Sequence, residues 1–207
     1  MAQDTKDLRL SCRLNSQMLT FDLNEKEFLP EAVLTEEVNI SCIQKELTAV
    51  LGYISVNIWD TQLPKRVHDK ARKVFAILAL MSKLEAIKDL DREGLTDDDL
   101  PLERKAPNIL VSPSSGKKFE KFARYPGSDR LFVSSQWQVL APVLDATGRH
   151  ELLDKACALP IIIDNSSTAK RGGGSSIFRG TIHEAHCVGI EVSIQPFHIV
   201  FRLTNAS

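Results

Sequence analysis

The residues able to do chemistry concentrate toward the C-terminal end. Arg171-Gly172-Gly173-Gly174-Ser175-Ser176 precedes Ile177-Phe178-Arg179. Glycine lets a backbone approach a ligand closely, and successive N–H groups in such a loop can cradle a phosphate. Gly172, Gly173, Gly174, Ser175 and Ser176 are therefore the candidate phosphate- or nucleotide-binding residues. The run lacks the Lys-Ser/Thr ending of a Walker loop, and no helical pattern follows it. A linker or hairpin turn is the simpler reading.

Slightly further on, His183, His186 and Cys187 bring two imidazoles and a thiol together. On a helix they would share a face and suit zinc. They stand instead at the end of an extended run, and distant Cys157 or His198 would have to complete the site. Surface histidines beside a buried thiol explain them better. No metal or other cofactor is expected. Asp97-Asp98-Asp99 would suit a divalent cation, but an acidic, capped helix start accounts for it more simply. Ser, His and Asp are all present without a nucleophile-elbow motif. Trp59 and Trp137 are conceivable contact residues, though large aromatics are usually mostly buried.

These residues must be positioned by helices first and strands later, an α+β pattern. Residues 7–14 alternate, with Leu8, Leu10, Cys12 and Leu14 against Arg9, Ser11 and Arg13, which reads as a strand or a short amphipathic segment. Asn15-Ser16 would turn it into a second alternating run, Leu19, Phe21 and Leu23. Ser41 and Gln44 have capping-box spacing ahead of Ile43, Leu47, Val50, Leu51 and Ile54 at helical intervals. The clearest helix begins near Pro64 and carries the stripe Val67, Ala71, Val74, Phe75, Leu78 and Ala79. Lys65, Lys70, Arg72 and Lys73 fall outside that stripe and read as a solvated face rather than a phosphate site. Leu84, Ile87 and Leu90 continue the helical pattern to a stop at Gly94. The predicted helical core is Ile43, Leu47, Leu51, Val67, Ala71, Val74, Phe75, Leu78, Leu84 and Ile87.

From Pro101 onward, Pro, Gly and Ser punctuate short apolar runs. Ile109–Val111 and residues 159–163 read as extended. Three candidate strands close the sequence: 177–182, 189–194 and 197–203. The expected division is a mainly helical module over residues 1–160 and a Gly-rich loop with an antiparallel β segment over 161–207. The two parts can pack as one continuous domain.

Composition narrows the function. Net charge is −1 in 207 residues, so no basic excess argues for nucleic acid or a membrane surface. The longest apolar run, Val74–Met81, is too short to span a bilayer. The polar start Met1-Ala2-Gln3-Asp4-Thr5-Lys6-Asp7 lacks a secretory core, and Cys12, Cys42, Cys157 and Cys187 are widely spaced. The expectation is an intracellular, cytoplasmic protein with reduced thiols.

Several segments together carry a family resemblance. Residues 70–80 (KARKVFAILAL) and 93–102 (EGLTDDDLPL) are two of them. Residues 135–143 (SQWQVLAPV), Ala158-Leu159-Pro160 and residues 173–186 (GGSSIFRGTIHEAH) are the others. This set resembles the region upstream of the catalytic domain in filamentous-fungal protein-kinase-like proteins, over roughly residues 28–203. The resemblance implies a fungal source and a sheet like the first strands of a kinase small lobe, opened by the Gly-rich loop. The kinase features themselves match poorly. The pattern G-x-G-x-x-G-x-V is met at one glycine of three when Ile177 takes the valine place. The small-lobe lysine that pairs with ATP phosphates falls on Phe201, with Arg202 beside it. No H-R-D or D-F-G element follows among the four residues after Leu203.

The resemblance therefore implies a non-catalytic, pseudokinase-like interaction or regulatory module rather than an enzyme. The alternative is a nucleotide- or phosphate-binding protein acting through the Gly-rich loop. The expected partner is another protein, or a second copy of the chain, joined along an open sheet edge at Ile199, Phe201 and Leu203.

Overall fold

The computed structural model of the chain describes residues 8–21, 25–53, 60–145, 153–163, 170–172, 175–188 and 198–204. It is an α+β fold. Its helices are α1 (Leu10–Ser16), α2 (Glu31–Glu37), α3 (Ile40–Leu51), α4 (Leu63–Lys70), α5 (Arg72–Leu80), α6 (Ile87–Arg92) and α7 (Ser128–Ser135). Around them lie a hairpin of β1 (Leu19–Phe21) with β2 (Lys26–Phe28) and a three-stranded antiparallel sheet of β3 (Glu103–Ala106), β4 (Ile109–Val111) and β5 (Lys118–Phe119). Among the described residues, no helix is long and apolar enough to cross a membrane.

Helix α5 is the axis of the molecule. Val74 through Ala79 are all buried, and a helix that is apolar all round must be surrounded. Contacts from α1, α2, α4, α6 and α7 surround it. Nine of the ten predicted helical core positions are buried, and Leu51 is half-buried against the same cluster. Lys65 and Lys70 are exposed as expected. Arg72 and Lys73 are half-buried, with Arg72 against His68 at 2.8 Å and Lys73 paired with Glu31 at 3.2 Å.

Three local expectations are corrected. Of the two readings of residues 7–14, the strand gives way to the amphipathic segment, a helix over 10–16: Leu10 and Leu14 are buried at i,i+4 spacing, whereas Leu8 and Cys12 are exposed. The hairpin expected between 7–14 and 19–23 therefore does not form. Leu19–Phe21 pairs instead with Lys26–Phe28, Leu19 opposite Phe28 and Phe21 opposite Lys26, and Leu23 lies outside the described residues. Helix α3 is capped by Asn39, whose side chain accepts from the Cys42 amide at 3.0 Å, rather than by Ser41. The third correction is the largest. The single helix expected from Pro64 onward is two, broken at Ala71 (φ −142°, ψ 34°). The Asp97 carboxylate supplies the cap for the second, accepting from the Lys73 and Val74 amides at 3.0 Å each. Those amides would otherwise bond within a continuous helix. Asp97 belongs to a short 3-10 turn, Asp97–Asp99, closed by a Thr96/Asp99 capping box. The aspartate run is thus a capped start, as expected, and one member caps a second element too. Asp97→Ala should cost about 1–2 kcal/mol in chemical denaturation. Asp97→Asn, which keeps an acceptor, should recover most of that loss.

Capping across the fold recurs. The Glu46 carboxylate accepts from the first amide of α1, Leu10, at 2.7 Å. Glu93 accepts from the amides of Glu120 and Lys121 at 3.0 and 3.1 Å, where a 3-10 turn begins. The Arg9, Pro30 and Ala71 side chains that precede α1, α2 and α5 make no capping bond of their own. Buried Asp129 holds the β3–β4 turn, accepting from Arg104 Nε at 2.6 Å and the Asn108 amide at 2.9 Å. Asn108 has φ 62°, a conformation asparagine tolerates better than most residues. Gln136, fully buried, pairs in both directions with one backbone unit. Its Oε1 accepts from the Leu102 amide at 2.8 Å, and its Nε2 donates to the Leu102 carbonyl at 2.9 Å.

Candidate functional site

The C-terminal sheet is built on β9 (Ser175–Ile182), the longest described strand at eight residues. Its isoleucines, Phe178 and Thr181 favour extended backbone. On one side it pairs with β7 (Ile161–Ile163) near one end and with β8 (Lys170–Gly172) near the other. On the opposite side it pairs with β11 (His198–Thr204) along nearly its whole length. All pairings are antiparallel. The expected strands 177–182 and 197–203 are thus direct neighbours, apart from Phe197, which lies outside the described residues. The expected strand 189–194 also lies outside them.

The Gly-rich run falls at the β8–β9 hairpin. Gly172 is opposite Ser175, and Arg171 opposite Ser176. Gly172, Ser175 and Ser176 are ladder residues, which is the hairpin arrangement, while Gly173 and Gly174 lie outside the described residues. On β11, Ile199, Phe201 and Leu203 occupy alternate positions opposite Gly180, Phe178 and Ser176. Phe201, at the lysine place of the kinase pattern, therefore stands across from Phe178. Among the described residues, no strand pairs with the other side of β11.

His183 precedes and His186 ends a one-turn 3-10 segment, Glu184–His186, between β9 and β10 (Cys187–Val188). His183 caps that turn: its Nδ1 accepts from the Ala185 amide at 3.2 Å, and its own amide donates to the Pro160 carbonyl at 2.8 Å. His186 is 1% exposed. Its Nε2 accepts from the Glu31 amide, the first of α2, at 3.1 Å, and its Nδ1 lies 3.0 Å from the Pro142 carbonyl. A carbonyl only accepts, so Nδ1 carries the proton and the imidazole is neutral. Phe28 packs edge-on against both rings, at 6.2 Å from His183 and 5.4 Å from His186. Phe28 also joins Ala141, Ala158 and Leu19 in a small second core. Cys187 pairs in register with Leu144 of β6 (Leu144–Asp145), whose strand runs parallel to β10. Burial holds the His186 imidazole below its ordinary pKa, with His183 and Lys73 acting in the same direction.

The expected surface histidines beside a buried thiol are reversed: His186 is buried and Cys187 is half-exposed. Both nitrogens of His186 and Nδ1 of His183 are engaged by protein groups. Among the described residues, no group of three or more His, Cys, Asp or Glu could hold a metal ion. One signal pointed toward this arrangement. Pro30 has no side-chain acceptor, so the first amide of α2 needed a partner from elsewhere. Nothing local indicated which residue that would be.

No family model, no curated protein and no solved structure matches the chain.

Proposed function

We propose that the chain is a non-catalytic protein-interaction module, related to the N-terminal region of fungal protein-kinase-like proteins. Its partner is an extended segment of another protein that adds to β11 as a further antiparallel strand. One observation carries the reading: β11 pairs with β9 from His198 to Thr204, and its other side meets no strand among the described residues. Seven residues at about 3.4 Å each offer roughly 24 Å of edge, enough for backbone pairing to hold a peptide. The antiparallel order β8–β9–β11, with the Gly-rich run at its first turn, supports the kinase-like relationship. Action inside the cell is part of the proposal, and the four free thiols support it.

The test is a single charge within the strand. Val200→Lys should weaken partner capture at least tenfold and leave the melting midpoint of the helical body unchanged, because a lysine on an edge strand opposes strand addition. Sedimentation of the chain alone reports whether the added strand comes instead from a second copy. Capture unaffected by Val200→Lys would remove β11 as the docking edge.

A further inference from the structure

His186 differs in kind from the other side chains that cap helices across this fold. Glu46, Asp97 and Glu93 cap as carboxylates, and protonation still leaves each of them an oxygen able to accept. His186 caps α2 through one nitrogen lone pair, and protonation of Nε2 removes it. The imidazolium would then set an N–H donor 3.1 Å from the Glu31 amide, itself a donor. It would also place positive charge at the N-terminal end of α2, where the aligned peptide dipoles disfavour it.

The groups facing the ring offer little compensation. Glu31 of α2 has its carboxylate in an ion pair with Lys73 of α5 at 3.2 Å, and that lysine adds positive charge. His183, in the same turn, lies 6.0 Å away ring to ring. The segment before β6 contributes the Pro142 carbonyl, which is satisfied by Nδ1–H in either protonation state.

We propose that His186 is a proton-operated latch: neutral, it fastens the turn between β9 and β10 to the start of α2; protonated, it releases it. The latch is a property of the fold whatever pairs with β11. Its sign follows from the geometry. The closed form holds the ring neutral, while a released ring titrates near the ordinary value of about 6.5. Closure is therefore fully favoured above that pH. As pH falls below it, the released form takes up a proton that the closed form does not. The opening equilibrium then rises by up to about tenfold per pH unit, until the closed-state pKa is reached.

Hydrogen exchange on the full chain, corrected for intrinsic rates, reads this directly. Between pH 7.5 and 5.5, protection at residues 31–34, 142–145 and 184–188 should fall about tenfold relative to α5. His186→Gln should abolish that pH dependence, because a glutamine amide can accept from Glu31 and donate to Pro142 at either pH. His183→Gln should leave it in place. Nitrogen-15 NMR of the unsubstituted chain decides the matter even if a variant fails to fold. His186 should be an Nδ1–H tautomer at pH 7.5 and should titrate below the ordinary imidazole value. An Nε2–H tautomer, an ordinary titration, or the same pH-dependent loss in His186→Gln would overturn the latch.

Discussion

Phe75→Ala should remove about 3–5 kcal/mol of stability, the range for emptying a fully buried aromatic site. Phe75 is 0% exposed on a helix enclosed by five others. Its neighbours Val74, Ala76 and Ile77 are equally buried, so no mobile surface side chain stands ready to fill the void. A domain of ordinary stability holds only about 5–15 kcal/mol in total. The variant should therefore sit near its folding threshold, with a large drop in denaturation midpoint at unchanged slope. Phe75→Leu, which keeps much of the volume, should lose less. A loss under about 1 kcal/mol would mean that α5 is not the centre of the core.

Gln136→Leu should cost a comparable amount for the opposite reason. The substitution makes the interior more apolar at similar volume, so counting hydrophobicity alone predicts a gain. Gln136 satisfies both the N–H and the C=O of Leu102, and both bonds are buried. Leucine would leave these two backbone groups without partners, at about 1–3 kcal/mol each, or roughly 2–6 kcal/mol together. The loss should appear in chemical denaturation. Exchange of the Leu102 amide should speed up before that of α5. A neutral or stabilising result would mean that the backbone near Leu102 finds other partners.

These two positions mark what was legible in the sequence. Phe75 lies on a stripe repeated every three or four residues, and such stripes report burial because the partner surface is apolar wherever it comes from. The stripe 67–79 located the core but not the break at Ala71. Alanine is the best helix former, and the cause of the break is Asp97, 24 residues beyond the Lys73 amide and 23 beyond the Val74 amide that it caps. Residues 10–14 were ambiguous for a different reason. Over so short a run, Leu10, Cys12 and Leu14 fit a strand period, while Leu10 and Leu14 alone fit a helical one. Packing on α5, with Glu46 at the helix start, decided the outcome. Strands β9 and β11 were legible from β-branched and aromatic runs. Gln136 and His186 were not, because their roles depend on which distant backbone group they meet.

The capping arrangement has a consequence for how the chain is made. Leu10 waits for Glu46, the Lys73 and Val74 amides wait for Asp97, and Glu31 waits for His186. In each case the acceptor lies C-terminal to the helix it completes. A polypeptide emerging from the ribosome therefore exposes the starts of α1, α2 and α5 before the groups that close them exist. The separations are 36 residues for α1, about 24 for α5 and 155 for α2. At about 5–20 residues per second, the first amide of α2 stays open for roughly 8–30 seconds of synthesis. Native closure of that helix thus trails its synthesis by 155 residues, and the first turn of α2 stays uncapped until His186 arrives.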